Sequence, residues 1–167
     1  MISTSYFNSP VGTLFLGANE EGVVFVEFAS ESDRAAQQAR LRKKLKDEFV
    51  EGTNPHLAKL EVQLSGYFAG KLKKFDLPLK LNGTDFQKKV WNSLLDIPFV
   101  ETRSYGDQAK AIGKPSAVRA VANANGDNLI SIVIPCHRVI GSDGSLTGYG
   151  GGLPNKQWLL NHEKQNS

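Results

Sequence analysis

The residues of this chain that could do chemistry centre on Cys136, its only cysteine. A short apolar run, residues 130–134, precedes it, and Pro135 ends that run because proline can neither donate to a strand ladder nor continue a helix. His137 and Arg138 follow, and positive charge beside a thiol lowers its pKa and raises its thiolate fraction. Consecutive side chains point in different directions, so a water could carry the thiol proton to His137 without a direct hydrogen bond. The pattern indicates a candidate nucleophile; the alternative is that a lone cysteine is usually a small buried hydrophobic residue.

A histidine that acts as a base needs a third group to hold its ring, and Glu163, which follows His162, is a candidate. Zinc binding is disfavoured, because one cysteine and the histidines at 56, 137 and 162 do not form a recognisable ligand set. We therefore expect no metal and no cofactor. A cysteine hydrolase, which regenerates its thiol, stays open as an interpretation, because the spacing alone does not fix which reaction the thiol performs.

The composition is that of a folded globular protein. With 40% hydrophobic and 22% charged residues, a chain of 167 residues can form a packed core in one domain or two small ones. The net charge of +3 and the pI near 9.0 permit nucleic-acid binding without proving it. A single cysteine excludes an intramolecular disulfide, and a working thiol favours a reducing, cytoplasmic location. No apolar run approaches a membrane span in length, and the first residues lack the pattern of a secretion signal.

The N-terminal part is predicted to be a small α/β domain with antiparallel strands. Short segments rich in β-branched and aromatic residues alternate there with turn signals, which predicts strands. Of two longer segments, the first lacks glycine and proline and the second has apolar residues at helical spacing, so both are predicted to be helices. A basic cluster, Arg42-Lys43-Lys44 with Lys46, could contact phosphate, but a solvated helix face is the simpler interpretation. The predicted elements are strands at 2–7, 13–18 and 23–28, helices at 32–49 and from 55 to Gly70, and an edge strand at 75–81.

The C-terminal part is predicted to be mainly helical and to contain a helix-turn-helix. Thr84 and Gln87 have capping-box spacing before an apolar stripe that reaches Ile97-Pro98. Ser104 can cap a helix over residues 105–112, and after a glycine turn Pro115 can open a second helix that ends before Gly126. Alanines in that second helix suit either a close approach to DNA or tight packing between helices. A glycine-rich loop at 141–152 and a last helix from Pro154 complete the chain.

Asn82-Gly83 is the predicted hinge, which gives domains at residues 1–81 and 82–167 and an α+β fold class. The sequence Ile134-Pro135-Cys136-His137-Arg138-Val139-Ile140, with Tyr149-Gly150-Gly151-Gly152-Leu153 and Trp158-Leu159-Leu160-Asn161-His162-Glu163, closely resembles the O6-alkylguanine-DNA alkyltransferases. The resemblance is strong over residues 84–163 and loose before them. Under it, the second domain is the one that binds DNA and transfers the alkyl group.

The resemblance implies direct-reversal repair of double-stranded DNA that contains O6-alkylguanine, and it leaves O4 of thymine open as a second substrate atom. The alkyl group would pass irreversibly to Cys136, so a monomeric protein would act once. The damaged base would be flipped out of the duplex while the helix-turn-helix occupies the minor groove. Some relatives hold a zinc ion through N-terminal cysteines, which this chain lacks. A non-catalytic DNA-binding module with a structural Cys136 is the remaining alternative.

The resemblance also assigns roles to individual residues. Cys136 would attack the alkyl carbon, while His137, acting through water and oriented by Glu163, takes the thiol proton. Tyr105 would donate a hydrogen bond to the base and assist its departure. Arg119 would enter the duplex in place of the flipped base. The implied substrate-binding residues are Asn128, Tyr149, Gly150 and Lys156, the last being equally compatible with a solvated lysine, and the implied DNA-binding residues besides Arg119 are Lys114, Ser116, Ala120 and Asn123.

Overall fold

The computed structural model describes all 167 residues, which form two compact units, residues 1–82 and 83–167. The first unit contains a four-stranded sheet in the order β3-β2-β1-β4, in which β1, β2 and β3 are antiparallel and β4 runs parallel to β1. The second unit is mainly helical, so the predicted α+β class is confirmed. In chain order the first unit consists of β1 Ile2–Ser9, β2 Gly12–Asn19, β3 Gly22–Phe28, α1 Arg34–Leu45, β4 Phe49–Glu51 and α2 Pro55–Phe68.

The core of the first unit lies between the sheet and α2. The helix buries Leu57, Leu60, Leu64 and Tyr67, which recur at helical spacing as predicted. Asn54 caps it, because its side chain accepts a hydrogen bond from the Leu57 N–H at 2.9 Å. The three antiparallel strands and α2 therefore form where the sequence pattern predicts them.

The helix predicted over residues 32–49 is wrong at both ends, since α1 covers only Arg34–Leu45. Lys46 stops it in the left-handed conformation, with φ of 53°. Phe49 belongs to β4 instead, and its ring centroid lies 5.5 Å from that of Phe25. Pairing with β1 and packing on the aromatic core decide the conformation of this segment, and local helix propensity does not.

The edge strand predicted over residues 75–81 is also wrong. Only one isolated bridge forms there, between Val23 and Leu79. Pro78 takes part through its carbonyl alone, which accepts from the Val23 N–H at 2.9 Å, since proline has no N–H to return. The segment therefore pairs with β3 through one bridge and does not form a strand.

The second unit consists of α3 Asp85–Leu94, β5 Arg103–Ser104, α4 Tyr105–Ala111, α5 Val118–Gly126, a 3₁₀ turn Cys136–Arg138, β6 Val139–Ile140 and α6 Leu153–Gln165. The capping box predicted at Thr84 and Gln87 is present, and Ser104 caps α4 with Asp107 as its reciprocal partner. β5 and β6 form a short parallel pair. None of the helices has the length and apolar character needed to cross a membrane.

Helix α5 is held by hydrogen bonds from both α3 and α4. The Trp91 indole N–H donates to the Ala124 carbonyl at 2.8 Å, and the buried amides of Gln108 and Asn125 exchange hydrogen bonds at 2.7 and 2.8 Å. The prediction that Pro115 opens this helix is wrong, because α5 begins at Val118. Residues 115–116 are instead part of a turn that the Ala117 N–H closes onto the Lys114 carbonyl at 2.9 Å.

The apolar run before Cys136 forms tight turns and neither a strand nor a helix. The Val133 N–H donates to the Ser131 carbonyl at 2.8 Å across Ile132, whose φ is 73°. The Cys136 N–H donates to the Ile134 carbonyl at 2.8 Å across Pro135. Two successive three-residue turns of this kind reverse the chain sharply. They place Cys136 at the first position of the 3₁₀ turn, with its side chain partly exposed.

Candidate active site

The Cys136 thiol lies against the side chain of Asn128. The Asn128 amide contacts the Cys136 sulfur at 3.4 Å and donates to the Ile134 carbonyl at 3.0 Å, while its oxygen accepts from the Ile130 N–H at 2.9 Å. Burial raises the pKa of Cys136 above its ordinary value, and the Asn128 hydrogen bond and the charge of Lys156 only partly oppose this. The expectation that His137 and Arg138 lower the thiol pKa is wrong, because both side chains bind Glu163.

Glu163, on α6, is a buried carboxylate whose oxygens each accept two hydrogen bonds. One oxygen accepts from Arg138 Nε at 2.8 Å and from the Val100 N–H at 3.0 Å, and the other from His137 Nε2 at 2.6 Å and Arg138 Nη2 at 3.2 Å. Burial alone would raise the pKa of Glu163, but the hydrogen bonds from His137 and Arg138, together with the charge of Arg138, hold it well below its usual range. Glu163 is therefore ionised at neutral pH.

His137 is fully buried, and burial lowers the pKa of its ring below 6.5 despite the opposing effect of Glu163. The ring is therefore neutral at neutral pH. An ionised carboxylate can only accept hydrogen bonds, so His137 Nε2 carries the ring proton and donates a hydrogen bond to Glu163. Nδ1 is then the basic nitrogen, and it is buried without a hydrogen-bond partner. The arrangement leaves His137 able to take up one proton at Nδ1.

Lys156 is fully buried, so the alternative of a solvated lysine is wrong. Its ammonium group donates to the Val139 carbonyl at 2.6 Å and to the Thr147 carbonyl at 2.8 Å. Burial lowers the pKa of Lys156. The side chain thus ties the strand that follows the 3₁₀ turn to the glycine-rich loop.

The remaining predicted substrate residues lie on or beside that loop. The Tyr105 hydroxyl, at the start of α4, donates to the Thr147 carbonyl at 3.3 Å and accepts from the Thr147 hydroxyl at 3.1 Å. Tyr149 is half-buried and Gly150 is exposed. Hydrogen bonds therefore connect Tyr105, Thr147 and Lys156, and a second group of contacts connects Cys136 with Asn128.

The predicted DNA-binding residues share one exposed surface around α5. Arg119, Ala120 and Asn123 are exposed at helical spacing on α5, and Lys114 and Ser116 are exposed in the preceding connection. The opposite side of α5 buries Val121, Ala124 and Asn125. Of the two interpretations of the alanines, tight packing therefore accounts for Ala124, while Ala120 remains available for contact with a partner.

Each of the two units matches a known protein family. Residues 2–81 match the family described as the ribonuclease-like domain of 6-O-methylguanine DNA methyltransferase, and residues 85–165 match its DNA binding domain. A methylated-DNA-protein-cysteine methyltransferase of Methanosarcina acetivorans is 46% identical over 157 residues, 94% of this chain and 95% of that protein. The chain belongs to the methylated-DNA-protein-cysteine methyltransferase family. The resemblance and the enzyme class stated from the sequence are thereby confirmed.

Solved structures of the methyltransferase family have the same fold. The Mycobacterium tuberculosis O6-methylguanine methyltransferase has a TM-score of 0.85 at 41% identity, covering 100% of this chain and 95% of that one. The M. tuberculosis protein in complex with DNA also has a TM-score of 0.85 at 41% identity, covering 99% and 94%. The relative from Pyrococcus kodakaraensis is more distant, with a TM-score of 0.66 at 26% identity.

Three sets of contacts in this candidate site do not follow from the sequence. They are the Val100 N–H and the ion pair of Arg138 with Glu163, which complete the carboxylate's bonding, and the contacts of Thr147 with Tyr105. The position of Arg138 in the sequence predicts only a positive charge near the thiol, and its ion pair with Glu163 depends on the fold. Every residue except proline has a backbone N–H, so no residue type could have indicated Val100.

Proposed function

We propose that this protein repairs double-stranded DNA by moving an alkyl group from O6 of guanine to Cys136, irreversibly and once per molecule. O4 of thymine, which also carries an exocyclic oxygen, is a second candidate substrate atom. The observation that carries the proposal is the neutral His137 ring beside Cys136 in the chain, with Nε2 bound to Glu163 and Nδ1 ready to accept a proton. The family match supplies the class of reaction.

The proposed step is a single displacement. A sulfur lone pair of Cys136 forms the S–C bond as the C–O6 bond breaks, and that bond's electron pair goes to guanine. The thiol proton passes through a water to His137 Nδ1, and Glu163 stabilises the resulting imidazolium without becoming protonated. The product is a thioether, which has no leaving group comparable to an acyl thioester's, so the cysteine is not regenerated.

The neighbouring side chains have supporting roles in this proposal. Tyr105 donates a hydrogen bond to the base as negative charge develops on it. Asn128 orients the thiol and joins it to the turn that follows α5. Tyr149 and the Gly150 N–H contact the base, and Lys156 fixes the loop that carries them.

The DNA-binding part of the proposal rests on the exposed surface of α5. The O6 atom of a paired guanine lies within the duplex, so the nucleotide must be flipped out before the sulfur can reach its alkyl group. We assign α4 and α5 to a helix-turn-helix in the minor groove and Arg119 to the space that the base leaves. Lys114, Ser116, Ala120 and Asn123 contact the backbone and groove around it. Residues 82–167 are thus the functional domain, and a monomer in the reducing cytoplasm suffices.

Intact-protein mass spectrometry tests the proposal. The protein is incubated with a duplex that contains one O6-methylguanine, or with the same duplex carrying guanine. We expect one methyl group per protein, located on Cys136, with the damaged duplex only, and none in Cys136→Ala. Binding without a gain in mass would favour the non-catalytic module, and more than one equivalent of repaired base per protein would favour a hydrolase.

A further inference from the structure

Thr147 is the residue that holds the Tyr105 hydroxyl, and it does so through two separate groups. Its side-chain hydroxyl donates to the Tyr105 oxygen at 3.1 Å, and its backbone carbonyl accepts from the Tyr105 hydroxyl at 3.3 Å. The two residues are 42 positions apart, one at the start of α4 and the other in the loop before α6. The contact therefore fixes where the hydroxyl of a proposed substrate-contacting residue lies.

The Thr147 carbonyl does not depend on Tyr105 for a hydrogen bond. Lys156 Nζ donates to the same oxygen at the shorter distance of 2.8 Å. A carbonyl has two lone pairs, whereas a tyrosine hydroxyl has a single proton to donate. Tyr105 can therefore turn its proton towards a bound base while the Thr147 carbonyl keeps the hydrogen bond from Lys156, so no acceptor is left unpaired.

The Thr147 hydroxyl keeps its contact with Tyr105 during that exchange. It donates to the tyrosine oxygen, and this bond does not use the tyrosine proton. A hydroxyl that accepts a hydrogen bond is polarised and becomes a better donor through its own proton. In the free protein, the Tyr105 oxygen thus already accepts a hydrogen bond from the Thr147 hydroxyl. The Tyr105 proton is donated to the Thr147 carbonyl, which a bound base can replace as the acceptor.

We propose that Thr147 is a positioning residue for alkyl transfer, which places the Tyr105 hydroxyl and strengthens its hydrogen bond to the departing guanine. This inference rests on the proposed function. The bond changes are those of the displacement: S–C forms, C–O6 breaks and the electron pair goes to the base. The Tyr105 proton is shared with the base and remains on the tyrosine.

The test is the single-turnover rate constant of methyl transfer, measured at saturating O6-methylguanine duplex, together with the dissociation constant of that duplex. The variants are Thr147→Val, Thr147→Ser, Tyr105→Phe and the double variant Tyr105→Phe with Thr147→Val. The matched control is Thr53→Val, which removes the hydroxyl of an exposed threonine in the first unit. Thr147→Val keeps the shape of the side chain and removes its donor.

We expect Thr147→Val to lower the rate constant about threefold to tenfold, the effect of one lost hydrogen bond, with little change in duplex affinity. Thr147→Ser keeps the donor and restores the rate, and Thr53→Val has no effect. In the Tyr105→Phe background, Thr147→Val has no further effect, because Thr147 acts through the tyrosine oxygen.

Three results would overturn the inference: a Thr147→Val rate equal to wild type, a Thr147→Ser rate as low as that of Thr147→Val, or a valine effect that persists without the tyrosine hydroxyl. A Tyr105→Phe variant as fast as wild type would overturn it as well, while Cys136 still gained its methyl group and the proposed function stood. Absence of methyl transfer in the wild-type protein would overturn both.

Discussion

Cys136 lies in surroundings that do not by themselves produce a thiolate. Burial raises its pKa, and the nearest polar groups, Asn128 and Lys156, only partly compensate. A low-pKa cysteine would need no base, but this one does. In the mechanism that we propose, His137 is that base, because its buried neutral ring is bound to Glu163 and its Nδ1 has no hydrogen-bond partner. The raised pKa of the thiol and the lowered pKa of the imidazole both agree with that proposal.

This pairing predicts the pH dependence of methyl transfer. In the proposed mechanism the neutral form of His137 is the base, and burial holds its pKa below that of a free imidazole, so the wild-type single-turnover rate should stay level across neutral pH and fall only under acidic conditions. In His137→Gln the rate should be lower and should rise with pH until the thiol itself ionises, which burial shifts to a pH above the ordinary pKa of a cysteine. Rapid-quench measurements between about pH 5 and about pH 10 would check both profiles.

The outcome that contradicts this prediction is a wild-type rate that rises about tenfold per pH unit across neutrality, since that slope reports direct loss of the thiol proton. The same slope in both proteins would remove His137 from the proton path. Circular dichroism at each pH serves as the control that the variant remains folded.

At the residue scale, the sequence indicates candidate reacting groups more readily than the groups that support them. The run from Pro135 to Arg138 indicates Cys136 and His137, and Glu163 is a candidate partner whose Oε2 the structure places 2.6 Å from His137 Nε2. The roles of Val100 and Thr147 were not found, because each depends on where a loop passes. The burial of Lys156 does not follow from the sequence either, since lysine is rarely buried without a charged partner.

At the scale of elements, turns and short connections position Cys136 and one of the groups that bind Glu163. Glu163 comes from α6, but the Val100 N–H that binds it lies in the connection between α3 and β5, in a backbone conformation with φ of 72°. Ile132, in the turn before Cys136, has φ of 73°. Positive φ is unfavourable for β-branched residues, so both positions hold conformations that their own side chains disfavour.

Val100→Gly should therefore stabilise the protein. A left-handed conformation costs an L-residue about 1–2 kcal/mol, and glycine removes this cost from the folded state. Glycine also gives the unfolded chain more conformational freedom, which offsets roughly 0.5–1 kcal/mol of that stabilisation. Val100 is 40% exposed, so little buried surface is lost. We expect the free energy of unfolding to rise by up to about 1 kcal/mol, as measured by urea denaturation of the full chain.

Val118→Gly is the matched control, because Val118 is also 40% exposed but lies in the first turn of α5. Glycine in a helix is destabilising, so this variant should lose about 0.5–1 kcal/mol. If both variants lost the same amount, the backbone at Val100 would not be strained.

The elements that were predicted correctly are those with local signals. The capping groups Thr84 and Ser104 mark the starts of α3 and α4, and the apolar spacing of α2 matches its buried face. The wrong helix boundaries at Phe49 and Pro115 have different causes. Phe49 pairs with β1, which is distant in sequence, whereas a local turn, closed by the Ala117 N–H onto the Lys114 carbonyl, delays the start of α5 to Val118.

At the scale of the whole molecule, charge alone is a weak guide to DNA binding. Twenty basic against 17 acidic residues leave a net charge of only +3. Both units carry exposed basic residues: Arg42 to Lys46 at the end of α1 in the first, and Lys114 and Arg119 around α5 in the second. The basic cluster of α1 stays open between phosphate contact and a solvated face. Variants in each unit can show which one acts on the damaged nucleotide.

Arg119→Ala should separate reaction with duplex DNA from reaction with a free base. If Arg119 fills the space of the flipped nucleotide, its loss should slow methyl transfer from duplex O6-methylguanine by about tenfold or more, since unstacking a base costs a few kcal/mol. Reaction with free O6-benzylguanine needs no flipping and should keep its rate. Arg34→Ala, an exposed arginine on α1, is the matched control and should change neither rate. Both reactions are run at one ionic strength, because phosphate contacts depend on salt.

Equal losses of rate on the two substrates would mean that Arg119 supports the fold of the site and does not assist flipping. A loss in Arg34→Ala on duplex DNA alone would assign part of the DNA contact to the first unit.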